Sequence, residues 1–214
     1  MKKYYYVLLL FIFGVLIIYS SKVEALLPLT GKIIIIDPVH GAEDVGSSYK
    51  DVYEKDINLK ISLYLESELT KLGGTVILTR NGDYDLSTPN ANHRKKSDFD
   101  NRIKLINESN ANVYLSIHLN YLNDFRYYGP QVFYNNDNED LAEIIQDNLN
   151  KLTNTKRKVK KIPSDTYMYK QLKKKGVLIE CGFLSNFKER ELLKQKDYQK
   201  KIALLISEGL LQYF

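Results

Sequence analysis

Four consecutive isoleucines, Ile33, Ile34, Ile35 and Ile36, stand between Lys32 and the dipeptide Asp37-Pro38. β-Branched side chains are stiff at χ1 and favour extended backbone. A strand with no polar side to turn toward water must be covered on both faces, the environment of a parallel sheet. Parallel strands need crossover connections, usually helices, so this run already points to alternating strands and helices. The rest of the chain supplies them. Residues 75–79, 113–117, 131–134 and 177–179 read as further strands. Residues 55–72 alternate like a strand at Ile57, Leu59, Ile61, Leu63 and Leu65. Their length, and the helical set Ile57, Ile61, Tyr64, Leu65, Leu69 and Leu72, favour a helix stopped by Gly73-Gly74. Residues 97–110, 139–152 and 200–213 read as helices, and Asn186 with Glu189 forms a capping box for one more. Residues 81–96 are polar and read as a long loop. The class is α/β with a largely parallel sheet.

Residues 1–25 differ from everything after them. Met1-Lys2-Lys3 is a basic start, residues 4–19 are almost wholly apolar, and residues 7–18 are interrupted only by Gly14. This reads as an export signal, short against the roughly 20 apolar residues of a spanning helix. Two fates fit: a signal peptide cut after Val23-Glu24-Ala25, or an uncut N-terminal membrane anchor with Ser20 and Ser21 at the interface. The single cysteine, Cys181, excludes an internal disulfide, which suits an exported bacterial protein better than a eukaryotic secreted one. The net charge of +5 is concentrated at Lys156, Arg157, Lys158, Lys160 and Lys161, then Lys170, Lys173, Lys174 and Lys175. An exported location argues against nucleic acid as the partner. A solvated lysine-rich surface is the simplest reading, with an anionic wall polymer or membrane surface as the alternatives.

Ligands of parallel sheets bind beyond the carboxyl ends of the strands, and the reactive residues fall there. His40 and His118 are two of only three histidines, and each sits just past a strand end. Glu180 continues Val177-Leu178-Ile179, and Glu54 stands where a loop enters a helix. A catalytic zinc takes three protein ligands and keeps one position open for water. Two imidazoles and a carboxylate meet that requirement, and a bound cation acidifies the water. A further carboxylate must then take the proton and pass it on. Glu180 is the candidate, because a carboxylate continuing a buried strand is costly without a task or a partner. Asp37 is a candidate to orient an imidazole. Each residue also has an ordinary reading. A lone histidine at a strand end is more often hydrogen-bonded or on the surface, and a glutamate at a helix start complements the helix dipole. Glu43, Asp44, Asp51 and Asp56 compete with Glu54, and pattern alone does not separate them. His93, beside Arg94-Lys95-Lys96, reads as solvated, and Cys181 as a small packing residue.

From about residue 32 onward, the chain resembles the zinc-dependent N-acetylmuramoyl-L-alanine amidases called Amidase 3. The motifs are Ile35-Ile36-Asp37-Pro38-Val39-His40-Gly41, Glu54 before Asp56-Ile57-Asn58-Leu59, and Leu78-Thr79-Arg80. Then come Arg102 with Asn107, Ser116-Ile117-His118-Leu119-Asn120, and Leu178-Ile179-Glu180-Cys181-Gly182-Phe183-Leu184-Ser185-Asn186. The resemblance implies a single catalytic domain over residues 30–214, an α/β sandwich around a twisted, mostly parallel sheet with helices on both faces. It implies one Zn2+ per chain on His40, Glu54 and His118, Glu180 as the catalytic glutamate, and Asn120 as a residue holding substrate. The implied substrate is peptidoglycan, cut at the amide between N-acetylmuramic acid and L-alanine. The compact form is similar to the germination-specific amidases of spore formers, which implies an extracytoplasmic location in the spore envelope and work on the cortex. An accessory protein that aids activity or zinc binding is compatible with this picture. The rival readings are a zinc peptidase acting on other peptides and a non-catalytic wall-binding protein on the same fold.

Overall fold

The computed structural model describes residues 26–135, 137–153 and 155–214. The expected signal or anchor segment lies outside them. Among the described residues, no helix is long and apolar enough to cross a membrane.

The isoleucine run forms β1 (Ile33–Pro38), and Ile34, Ile35 and Ile36 are wholly buried. Its neighbours are β4 (Thr75–Leu78) on one side and β5 (Val113–Asn120) on the other, both parallel to it. Next to β5 lies β8 (Gly176–Phe183), again parallel. Then come β6 (Gln131–Tyr134), antiparallel to β8, and the short β7 (Lys160–Lys161). The order is β4-β1-β5-β8-β6-β7, so the interior of the sheet is parallel and only one side is mixed. A small hairpin, β2 (Ser48–Tyr49) with β3 (Val52–Tyr53), stands apart and leads directly into α1 (Glu54–Lys71).

Both faces of the sheet are covered, as the apolar run requires. On one face α1, α3 (Glu139–Thr153) and α5 (Lys196–Tyr213) bury Ile61, Leu65, Ile145, Leu149, Ile202 and Ile206 against Ile36, Ile117 and Ile179. On the other, α2 (Arg94–Glu108) brings Ile103 and Ile106 to Ile35, Tyr114 and Leu178. Met168, Tyr169 and Leu172, around a 3-10 turn at Tyr169–Gln171, complete that layer. In α1 the helical reading prevails over the alternating one: Ile57, Ile61, Leu65 and Leu69 are buried while Leu63 is exposed.

Several boundaries differ from the sequence reading, each for a local reason. α2 begins at Arg94, three residues before Ser97. The Ser97 hydroxyl does not cap the helix; it accepts a hydrogen bond from Thr88 N at 2.9 Å and pins the preceding loop. β5 and β8 continue past their aliphatic residues, so His118 and Glu180 lie within strands rather than beyond them. Ladder pairing satisfies their backbone there whatever the side chain. The capping box at α4 (Phe187–Leu193) is half made. Asn186 Oδ1 accepts from Glu189 N at 3.0 Å. The Glu189 carboxylate turns away to accept from Phe183 N at 2.8 Å and Gly129 N at 2.9 Å.

Candidate metal centre

The site forms at the carboxyl end of β1, β5 and the start of α1. After Pro38 the chain leaves the sheet in a tight loop, with His40 and Ala42 at φ of 67° and 50°. Non-glycine residues avoid that region unless their surroundings impose it. Two buried guanidiniums impose it here. Arg80 donates to the carbonyls of Pro38 (2.7 Å), Val39 (3.2 Å) and Lys55 (2.8 Å). Arg102 donates to His40 O at 2.9 Å and Pro38 O at 3.3 Å. Its charge is met by Asp98 at 2.9 Å and Asp37 at 2.6 Å. Gly46, at φ 67°, lets the loop return; a Cβ there would stand 2.6 Å from His40 and 2.7 Å from Glu54.

Glu54 is the first residue of α1, and its carboxylate is divided between two duties. Oε2 accepts from Ser47 N at 2.7 Å, tying the helix start to the hairpin. Oε1 accepts from Leu119 N at 3.0 Å and faces both imidazoles, 3.4 Å from His40 Nε2 and 3.3 Å from His118 Nδ1. The two rings are perpendicular, with centroids 5.9 Å apart. One ligand atom from each of His40, Glu54 and His118 lies within 4.8 Å of the others. Donors bound at about 2.0–2.1 Å in a tetrahedron stand about 3.3–3.4 Å apart, and the Glu54–imidazole separations have that length. The donor set and its spacing therefore fit a zinc-sized cation.

The two imidazoles approach Glu54 through opposite nitrogens. His40 turns Nδ1 away to Asp44 Oδ2 at 2.8 Å. Asp44 was one of several competing acids in the sequence. The clue that separates it is its place four residues after His40, which becomes informative only once the loop's turn is known. Burial lowers the affinity of His40 for a proton, but Asp44 and Glu54 outweigh it and raise the pKa to about 9. Burial would raise that of Glu54, but hydrogen bonds from His118 and His40 hold it well below the carboxylate range. The cluster thus keeps anionic oxygen beside nitrogen donors, the charge arrangement a cation replaces a proton in.

Glu180 is paired across the ladder with His118, so strand register alone sets the two side chains abreast. Among the described residues its Oε2 is buried and without a hydrogen-bond partner. Burial and the nearby charge of Glu54 push its carboxyl well above the ordinary range. Between Glu180 and Phe183, β8 carries a register shift against His118 and Asn120, a bulge of the kind that re-aims side chains beside active sites. Asn120 ends β5 half-buried, and its carbonyl accepts from Leu184 N at 2.8 Å. His93 is exposed and Cys181 wholly buried, as read from the sequence.

A pair of imidazoles and a carboxylate gathered at a sheet edge, with a second, unpartnered carboxyl beside them, has the make-up of a metallohydrolase centre. Comparison with known proteins narrows the class. The family described as N-acetylmuramoyl-L-alanine amidase (Amidase_3) matches residues 34–212, and the chain belongs to it. The germination-specific N-acetylmuramoyl-L-alanine amidase of Bacillus subtilis is 43% identical over 195 residues, covering 88% of this chain and 82% of that protein. The structure of the CwlD amidase from Clostridioides difficile, in complex with the GerS lipoprotein, superposes with a TM-score of 0.81 and 40% identity, covering 86% of this chain and 98% of that one. The catalytic domain of the CwlV amidase from Bacillus (Paenibacillus) polymyxa var. colistinus gives 0.74 and 29%, over 85% and 97% of the two chains. The chain is accordingly a hydrolase of peptidoglycan, directed at the amide that joins N-acetylmuramic acid to L-alanine.

Proposed function

We propose that this amidase works with one zinc ion held by His40 Nε2, Glu54 Oε1 and His118 Nδ1, and that Glu180 is its catalytic carboxylate. The carrying observation is the single carboxylate oxygen of Glu54 facing both ring nitrogens at 3.3 and 3.4 Å. When bound, zinc would supply a Lewis acid that acidifies a water and polarises the scissile carbonyl. The protein does the rest. The loop held by Arg80 and Arg102 presents His40, and β5 presents His118 in a fixed relation to it. Glu180, abreast of His118 with a free carboxyl oxygen, takes the proton of the attacking water and delivers it to the departing nitrogen of L-alanine. Asn120, two residues beyond His118 on the same strand, is assigned to the substrate.

The catalytic domain spans residues 30–214, and residues 1–25 act as an export signal or membrane anchor, which sets the enzyme outside the cytoplasm. Its work is on the spore cortex, a reading supported by the 43% identity to a germination-specific amidase. The complex of the 40%-identical CwlD with a lipoprotein supports an accessory partner for this chain as well. The test is digestion of defined muropeptides with metal content measured in parallel. The expected result is one zinc per chain and a new N-terminal L-alanine. Glu180→Gln should keep the zinc and lose about 10²–10⁴-fold in kcat. Full activity in that variant would remove Glu180 from its role.

A further inference from the structure

The nitrogen of His118 that faces away from Glu54 is not free. Nε2 lies 2.6 Å from the hydroxyl of Tyr169, a buried residue of the 3-10 turn 51 positions along the chain. The Tyr169 hydroxyl is 3.0 Å from Ser116 Oγ, and Ser116 Oγ reaches Asp37 Oδ2 at 3.4 Å. Asp37 Oδ1 in turn accepts from Arg102 at 2.6 Å and Thr79 at 2.6 Å. Ser116 and Asp37 are wholly buried. Ser116 and His118 lie two residues apart on β5, and Asp37 is the register partner of Ser116 on β1. The sheet itself therefore lines up the polar groups over which Tyr169 closes.

The proton direction along this chain follows from its end. Asp37, ion-paired with a guanidinium, can only accept. Ser116 has one hydrogen to give and gives it to Asp37, so it must accept from Tyr169. Tyr169 then has no hydrogen left for His118 and must accept from Nε2–H. One tautomer satisfies the relay from Asp37 to Nε2, and it leaves Nδ1, 3.3 Å from Glu54 Oε1, as the atom that a cation seated between the two would take.

We propose that Tyr169 is the positioning residue of the second histidine ligand. Through Ser116 and Asp37, it holds His118 in the Nε2–H form and so reserves Nδ1 for the metal. The inference rests on the zinc reading above. It also makes the two histidines unequal: Asp44 orients His40 directly with a carboxylate, whereas His118 is oriented by a neutral phenol at the head of a relay. The relay ties the ligand to the same buried Asp37–Arg102 pair that shapes the His40 loop, so both imidazoles are referred to one fixed point.

The test is zinc affinity by competition with a chromophoric chelator, together with the visible spectrum of the cobalt-substituted protein and the melting of the metal-free chain. Tyr169→Phe removes one oxygen and nothing else. Zinc binding is expected to weaken about 10–100-fold, and the cobalt spectrum to change, while the metal-free melting temperature holds. Ser116→Ala keeps the phenol but removes its acceptor, and should weaken binding about 3–10-fold. It serves as the measurement if the Phe variant does not fold. Unchanged affinity in either folded variant overturns the relay. A loss of affinity that only follows a loss of melting temperature overturns it too, since the tyrosine would then be packing alone. If the parent chain takes up no zinc while Tyr169→Phe behaves identically, the metal reading itself has failed, and the relay with it.

Discussion

Replacing Arg102 by leucine separates the buried frame of this protein from its surface. The guanidinium is wholly buried and bridges two buried carboxylates, Asp98 on its own helix and Asp37 on β1. It also donates to Thr79 Oγ1 at 3.2 Å and to the carbonyls of Pro38 and His40. Leucine fills much of the volume and removes every donor. Asp37 keeps its contacts with Thr79 and Ser116, and Asp98 keeps Leu86 N at 2.7 Å, but neither retains a counter-charge from this residue. Removing one partner of a buried pair costs about 3–5 kcal/mol, because the remaining charge stays desolvated. At about 2–4 °C per kcal/mol for a chain of this size, the melting temperature should fall by roughly 10 °C. Urea unfolding of the metal-free protein, followed by circular dichroism, measures this, and an unchanged slope shows that the unfolded state is not the cause. Arg102→Lys should recover only part of the loss, since one ammonium cannot span two carboxylates and two carbonyls. A loss below about 1 kcal/mol for the leucine variant would refute the argument that this pair, rather than apolar packing alone, sets the loop.

Two further outcomes follow from particular contacts. Gly176 opens β8 directly against Tyr114, and a Cβ there would lie 2.3 Å from the tyrosine ring and 2.4 Å from its carbonyl oxygen. Gly176→Ala should therefore destabilise by about 3 kcal/mol, and wild-type stability in denaturant titration would contradict the close approach. Burial pushes the Glu189 carboxyl up to about 7, against the lowering effect of the Phe183 and Gly129 N–H groups. The folded state holds this proton more tightly than the unfolded chain, so ionisation costs stability as pH rises from about 4.5 to 7. Relative to Glu189→Gln, the wild type should lose up to about 3 kcal/mol across that window, and a pH-independent difference between the two would show the carboxyl to be unperturbed.

The sequence by itself determined the sheet and the chemistry's address. A strand's apolar run and a helix's stripe are local patterns, and the isoleucines of β1 demand cover on both faces wherever the chain goes. Because ligands gather at the carboxyl ends of parallel strands, His40, His118 and Glu180 could be grouped from their places after those runs. Local pattern had no means to choose Glu54 over Asp44, since both lie in one acidic stretch; only in space does Glu54 face both imidazoles while Asp44 meets the outer nitrogen of His40 alone. That was decided by the return of the loop at Gly46 and by the backbone from Pro38 to His40, fixed through guanidiniums 41 to 64 positions away. Tyr169 was hidden for the same reason: it sits in a lysine-rich segment with no pattern of its own, and its bond to His118 spans 51 residues. Hydrogen bonds between distant residues leave no periodicity behind, because each constrains a single pair of atoms. Hydrophobic burial constrains every third or second residue along an element, and that is why the fold was legible while the orientation of its ligands was left to the tertiary structure.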